Sequence, residues 1–226
     1  MKEYLFEMHA HTCEVSACAH ADAKELAKLY IDLGYDGIVS TNHMNSHTFH
    51  SAKLNDAPWC EKARHFLSGF CALKDAAGDK LTVLLGTELT FEGDPNDYLV
   101  YGVTEDFIES NGDLMKMNTE SFSRLAHENG LLFVQAHPFR RGMKISDWNY
   151  LDGYEVFNGN PRHDSSNGVA EYWAKLHGKT ITTSGSDFHD AGDEGTGGIY
   201  FSDQINSNGE LLEALKNHRY RLKNVK

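Results

Sequence analysis

Phe6-Glu7-Met8-His9-Ala10-His11-Thr12 is a short apolar run that ends in two histidines one residue apart. On a strand, side chains alternate between faces, so positions two apart point the same way and both imidazoles can reach one ion. A single pair of this kind also fits a surface pair or two hydrogen-bonded core histidines. Repetition separates the readings. Asp36-Gly37-Ile38-Val39-Ser40-Thr41-Asn42-His43, Leu131-Leu132-Phe133-Val134-Gln135-Ala136-His137 and Thr180-Ile181-Thr182-Thr183-Ser184-Gly185-Ser186-Asp187-Phe188-His189 are further apolar runs that end in histidine. Leu81-Thr82-Val83-Leu84-Leu85-Gly86-Thr87-Glu88 ends in a carboxylate. A parallel α/β barrel builds its site from side chains gathered at the C-terminal ends of its strands.

Outward from these runs, strand and helix patterns alternate. Asp22-Ala23-Lys24-Glu25 reads as a helix N-cap with a capping-box glutamate, Leu26, Leu29, Tyr30 and Leu33 follow at helical spacing, and Gly34 stops the run. With the strand Gly37 to Thr41, this makes a βαβ unit. A second helix is predicted from Asp56 to Ala77, entered through Pro58 and ended by Gly78. Strands are predicted over Leu81 to Leu85, Tyr98 to Val103, Leu131 to Ala136, Gly153 to Phe157 and Thr180 to Ser184, with helices over Thr119 to Asn129 and about Asn167 to His177. The tail holds a short strand, Ile199 to Phe201, and a helix over about Asn208 to Asn217. Seven strand repeats with ligand-type residues on one rim predict a single α/β domain over 1–226, a closed barrel with its metal site at the C-terminal ends of the strands. The Gly-rich stretch 192–198 lacks the Lys-Ser/Thr ending of a phosphate-cradling loop.

A chain of 226 residues can bury a full core. Its formal net charge of −12 argues against a nucleic-acid polymer held through its phosphates, because such binding relies on a basic stripe. The sequence shows no bilayer-spanning apolar stretch and no secretory leader pattern, so a cytoplasmic protein is expected. Cys13, Cys18, Cys60 and Cys71 form no C-x-x-C pair, and reduced thiols are expected. Cys13 and Cys18 flank the first histidine pair and read either as loop cysteines or as a soft ligand.

The ordered set His9-Ala10-His11, Thr41-Asn42-His43, Gly86-Thr87-Glu88, Ala136-His137-Pro138 and Gly185-Ser186-Asp187-Phe188-His189 resembles the motifs of the PHP (polymerase and histidinol phosphatase) superfamily over almost the whole chain. The resemblance implies a distorted (β/α)7 barrel with two or three divalent metal ions, Zn, Mn or Fe, that hydrolyses phosphate esters. It implies one ion on His9, His11, Glu88 and Asp187, a second that shares Glu88 and uses His137, and a third on His43 and His189. Imidazole and carboxylate suit these metals, and a bridging carboxylate holds two cations close together. Two positions depart from the family pattern. Asp97 stands where relatives often carry histidine, and it reads as a ligand or as a turn residue of Asp94-Pro95-Asn96-Asp97. After the histidine pair, where relatives place Asp or His, this chain offers Glu14, Ser16 and His20; Glu14 is taken first and His20 next.

Arg140 and Arg141 follow the His137 motif, and Arg162 follows the sixth strand. Guanidinium forks match phosphate oxygens, so these three are the candidate substrate clamp, with Arg140 and Arg162 preferred. The expected chemistry is in-line attack on phosphorus by a hydroxide bridging two metals, with His189 or His43 as candidate proton donor to the leaving oxygen. The expected partner is a small-molecule phosphate ester, the ester being a small-molecule or nucleotide phosphomonoester or diester, with no membrane and an open oligomeric state. An amidohydrolase-like metal-dependent hydrolase shares the first histidine pair and the last aspartate but calls for a lysine at a middle strand. A non-catalytic PHP module would have shed ligands that this chain keeps.

Overall fold

The computed structural model describes residues 2–178 and 181–223. β1 (Tyr4–Ala10) leads through α1 (Ala23–Asp32) to β2 (Gly37–Ser40). A two-residue β3 (His43–Met44), α2 (Ser46–Ser51) and α3 (Trp59–Ala77) carry the chain to β4 (Thr82–Leu89). β5 (Tyr98–Tyr101), α4 (Glu105–Ser110) and α5 (Thr119–Glu128) precede β6 (Leu132–Gln135), β7 (Gly153–Asn158), α6 (Asn167–Leu176) and β8 (Ile181–Gly185). β9 (Ile199–Phe201), α7 (Asn208–Lys216) and β10 (Tyr220–Leu222) follow. Thr180, the expected start of the seventh barrel strand, lies outside the described residues.

The sheet runs β10-β9-β1-β2-β4-β5-β6-β7-β8, with β3 also on β4. The span from β1 to β8 forms a seven-stranded wall whose ends meet through a parallel bridge between Ala10 and Phe188. Phe188 N donates to His9 O at 3.2 Å, and His11 N donates to Phe188 O at 2.9 Å. The result is a distorted barrel, and the distortion has a definite place. β5 is antiparallel to both β4 and β6, where strict strand–helix alternation predicts a parallel strand. Residues 90–97 are too few for a parallel crossover, which needs about a dozen residues and usually a helix. The reversal puts the start of β5, and so Asp97, on the rim where the other strands end.

A second irregularity sets the direction of the first histidine pair. β1 pairs with β2 from Phe6↔Gly37 and Glu7↔Ile38 and then jumps to Ala10↔Ser40, so Met8 and His9 together oppose one residue of β2. Such a bulge breaks the alternation of faces. Before it, Leu5 packs in the α1-facing cluster while Phe6 and Met8 fill the barrel interior; after it, Ala10 faces α1 and His9 and His11 turn inward. Glu7 stabilises the bulge. Its Oε1 accepts from Met8 N, His9 N and Ser186 N at 2.9, 2.9 and 2.8 Å, and Tyr30 Oη donates to its Oε2 at 2.7 Å. Burial pushes the Glu7 carboxyl up from its ordinary range, against the pull of these donors.

Phe6, Met8, Val39, Leu99, Tyr101 and Val134 fill the barrel below the rim, and Leu211 and Leu215 of α7 pack against them. Asn208, at the start of α7, donates through Nδ2 to Leu85 O and Val103 O, seating the helix on the end opposite the histidines. With one end sealed, the polar side chains of the interior collect at the other.

Candidate metal centre

Three groups of ligand-type atoms form at the rim among the described residues: His9, His11, Glu88 and Asp187; Glu88, Asp97 and His137; and His11, His43 and His189. Within each group the ligand atoms lie within 4.8 Å of one another. β1 supplies His9, with His11 just beyond it; β3 supplies His43, β4 Glu88, and the turns after β6 and β8 supply His137, Asp187 and His189. His137 and Asp187 hold φ of 26° and 52°, in the left-handed region that side-chain-bearing residues rarely adopt. Strained backbone of this kind gathers at functional sites.

Hydrogen bonds to the far side of the rings leave ligand atoms pointing inward. His9 Nδ1 lies 2.8 Å from Glu155 Oε1, and a carboxylate can only accept, so Nδ1 carries a proton and Nε2 faces the cluster. His189 Nδ1 likewise donates to Asp187 O at 3.0 Å. For His11 the partner is Ser16 Oγ at 3.3 Å; the Ser16 hydroxyl donates to Asn42 Oδ1 at 2.9 Å, so the Nδ1 proton belongs to His11. Ligating histidines commonly donate their other N–H to a carboxylate or carbonyl, which fixes the tautomer. His9 Nε2 and His11 Nε2 are buried without a hydrogen-bond partner, while His43 Nδ1 and Glu88 Oε2 lie 2.9 Å apart and face only each other and the cluster. Buried polar atoms short of partners are costly, and their convergence in one place fits a cation-binding site.

The electrostatics point the same way. Burial disfavours the charged form of His9, but Glu88, Asp187 and Glu155 outweigh it and hold its pKa well above the ordinary imidazole range. Burial would raise Glu88 and Asp187, yet His9 and His43 beside Glu88, and His9, His11 and Arg140 beside Asp187, keep both well below the usual carboxylate range. His11 moves the other way, well below the ordinary range, through burial and then repulsion from His43 and His189. Burial and the neighbouring Glu88 raise Asp97. Its Oδ1 accepts from Thr90 Oγ1 at 2.5 Å and its Oδ2 lies 3.9 Å from His137 Nε2.

Other candidates stand apart. Glu14 does not reach the histidines, because its Oε1 accepts from Ala23 N at the first turn of α1. His20 is exposed, with Nδ1 2.7 Å from Asp190 Oδ1. From the same loop Ser16 meets His11 and His43 N, and the exposed Cys18 faces His189 and His43, which lower its thiol pKa to about 6 against burial. Arg140 and Arg162 line a cavity of about 330 Å³ with Glu88, Asp97, His43 and His189, whereas Arg141 is exposed and absent from its wall. Arg140 Nη2 donates to Asp187 Oδ2 and Asn158 Oδ1, each at 2.7 Å, and Arg162 Nη1 donates to Asp193 Oδ1 at 2.7 Å.

Glu7 and Glu155 are the supporting residues that motif reading passes over. Glu155 bonds His9 with one oxygen and accepts from His137 N at 3.0 Å with the other. The sequence signal for both is a lone carboxylate inside an otherwise apolar strand, Phe6-Glu7-Met8 and Tyr154-Glu155-Val156.

Neither a family sequence model nor a curated protein matches the chain. Solved structures do. A two-domain protein from Bacteroides vulgatus containing a predicted PHP-like metal-dependent phosphoesterase superposes over 99% of this chain with a TM-score of 0.72 and 16% identity. The chain shares the fold of this PHP-like protein. PsfC from Pseudomonas syringae shares it, with a TM-score of 0.71, 14% identity, and coverage of 100% of this chain and 93% of PsfC. The lesion-specific endonuclease EndoQ from Pyrococcus furiosus is similar as well, with a TM-score of 0.65, 14% identity and coverage of 98% of this chain. The chain spans 65% of the Bacteroides protein and 58% of the endonuclease. The residues present fit the two or three cations that the PHP resemblance implies.

Proposed function

We propose that the chain is a metal-dependent hydrolase of phosphate esters acting on a small molecule, a phosphomonoester or diester. One observation carries this reading: three ligand groups, two of them sharing Glu88, open into the same cavity as Arg140 and Arg162. Divalent cations bound there supply an activated water and positive charge for the oxygens of a phosphoryl group in flight. The chain's own residues do the rest. Glu88 is shared between the first two groups, so it would help hold a cation in each. Glu155 and Asp187 O orient the rings of His9 and His189 by accepting their Nδ1 protons. Arg162, with a side chain 41% exposed, offers its guanidinium to a phosphate oxygen at the cavity mouth. Arg140 splits its donors: Nη2 and Nε serve Asp187, Asn158 and Ser165, which places the fork beside the ligand cluster. His43 and His189 close the far side as ligands or as proton donors to the departing oxygen.

The test is hydrolysis of a panel of phosphate mono- and diesters by chelator-treated protein reloaded with Mn or Zn, with a DNA duplex holding an abasic site in the same panel. Metal-dependent turnover of small esters alone supports the reading. Turnover of the duplex alone would move the substrate to nucleic acid, the class of the structurally similar endonuclease, against the expectation from a net charge of −12.

A further inference from the structure

The Gly-rich stretch 192–198 lacks the ending of a phosphate-cradling loop, yet it carries the side chain that ties two parts of the cavity wall together. Its glycines let it lie against the strand ends: Gly192 and Gly195 hold φ of 105° and 74°, and a Cβ at Gly197 would come 2.2 Å from Gly185 O. Asp193 is buried within this stretch. Its Oδ2 accepts from His189 N and Asp190 N, each at 3.0 Å, and its Oδ1 accepts from Arg162 Nη1 at 2.7 Å. Two further bonds fix the backbone that bears it, Asp193 N to Asp190 O at 3.0 Å and Thr196 Oγ1 to Asp193 O at 3.1 Å. Asp190 Oδ2 stands 3.3 Å from the same Nη1 as a longer second contact.

Arg162 uses only Nη1 in these contacts; among the described residues its Nη2 and Nε have no partner. An exposed arginine with a free tip samples many rotamers and must give up that freedom to hold an anion. A carboxylate that is buried and locked by two backbone donors cannot follow the guanidinium outward, so it fixes the direction of the fork in advance. We propose that Asp193 is the positioning residue of the substrate clamp: held by the His189–Asp190 backbone, it anchors Nη1 and leaves the remaining donors of Arg162 for a phosphate oxygen. The proposal rests on the phosphate-ester reading, and it joins the clamp to the turn that bears His189. The sign of the charge gives it an edge. A carboxylate beside an anion site repels the anion, so neutralising Asp193 strengthens phosphate binding unless the carboxylate acts through Arg162.

Inorganic phosphate, titrated calorimetrically into the Mn-loaded protein with bound metal measured on each variant, tests this without relying on turnover. Asp193→Asn keeps an acceptor oxygen for His189 N and Asp190 N but turns its amide donors toward Arg162. It should hold its metal and bind phosphate about tenfold more weakly, the scale of one charge-assisted contact. Arg162→Ala should show a loss of the same order, and the two changes together should lose no more than Arg162→Ala alone. Arg162→Lys leaves the buried carboxylate in place but has no fork to reach past it, so it should fall close to Arg162→Ala; this variant carries the test should Asp193→Asn fail to fold. Phosphate affinity unchanged or raised in Asp193→Asn, a loss that comes only with lost metal, losses that add in the double variant, or wild-type affinity in Arg162→Lys or Arg162→Ala overturns the inference and leaves the hydrolase reading standing. Failure of the loaded wild type to bind phosphate at all overturns both.

Discussion

Removing the Glu7 side chain should disable the first ligand group from behind. Four donors, Met8 N, His9 N, Ser186 N and Tyr30 Oη, converge on this buried carboxylate. A buried donor left without an acceptor costs about 1–3 kcal/mol. Glu7→Ala orphans all four, offset by relief of the several kcal/mol it costs to bury a carboxylate. The net loss is on the order of 4 kcal/mol, a large part of the roughly 5–15 kcal/mol that holds a domain together. Glu7→Gln keeps an acceptor oxygen for the backbone donors and should stay within about 2 kcal/mol of wild type. Urea unfolding in chelator measures this difference. Metal titration of the folded variants measures its consequence: once the bulge relaxes, His9 no longer turns inward, and affinity at its site should fall by roughly 10–100-fold in Glu7→Ala. An alanine variant as stable as the glutamine variant, with unaltered affinity, would refute the claim that Glu7 holds the bulge.

Glu88→Gln should lower occupancy at two positions at once, seen as a drop of about two bound metals per chain by plasma emission, because the carboxylate belongs to two groups. Gly185 lies so close to β1 that a Cβ would come 2.4 Å from His9 Cβ, so Gly185→Ala should weaken metal binding as it displaces His9; calorimetric titration checks this. Arg162→Ala should lower kcat/KM by about 1.5–3 kcal/mol with metal content unchanged, whereas Arg140→Ala should also loosen the metal, since it strips Asp187 Oδ2 of its guanidinium and leaves Asn158 Nδ2 at 3.2 Å. His9 and His43 hold protons well above the ordinary imidazole range without metal, so each must release one on binding; affinity should rise with pH, and calorimetry in buffers of different ionisation heat should register the release.

Five of the seven barrel strands were legible because each runs into a residue type that a purely packing strand would avoid. His9, His43, Glu88, His137 and Asp187 meet in space because strand ends of one barrel meet. The direction of β5 was less legible: Tyr98 to Tyr101 reads the same either way, and only the shortness of the 90–97 connection carries the signal. The β1 bulge was hidden. The H-x-H spacing predicts two rings on one face, which holds, but strict alternation would have put them with Glu7 against α1. The loop after His11 was the least readable, because Glu14, Ser16, Cys18 and His20 are all plausible donors by type. Their roles follow from backbone turns, with Glu14 on Ala23 N and Ser16 on His43 N, which side-chain chemistry alone does not encode.

Among the described residues the barrel closes between β1 and β8 through one bridge, Ala10 with Phe188, while its other neighbouring strands share longer ladders. His9 and His11 stand on one side of that seam and Asp187 on the other. A cation gripped by all three is therefore a rivet as well as a reagent. Stripping the metal should let this seam breathe before any other part of the wall, with amide exchange quickening at His11 and Phe188 while β2 and β4 stay protected. Metal binding and the closure of the wall then share one fastening, and the metal-free chain should be cut by protease at this seam sooner than the loaded one.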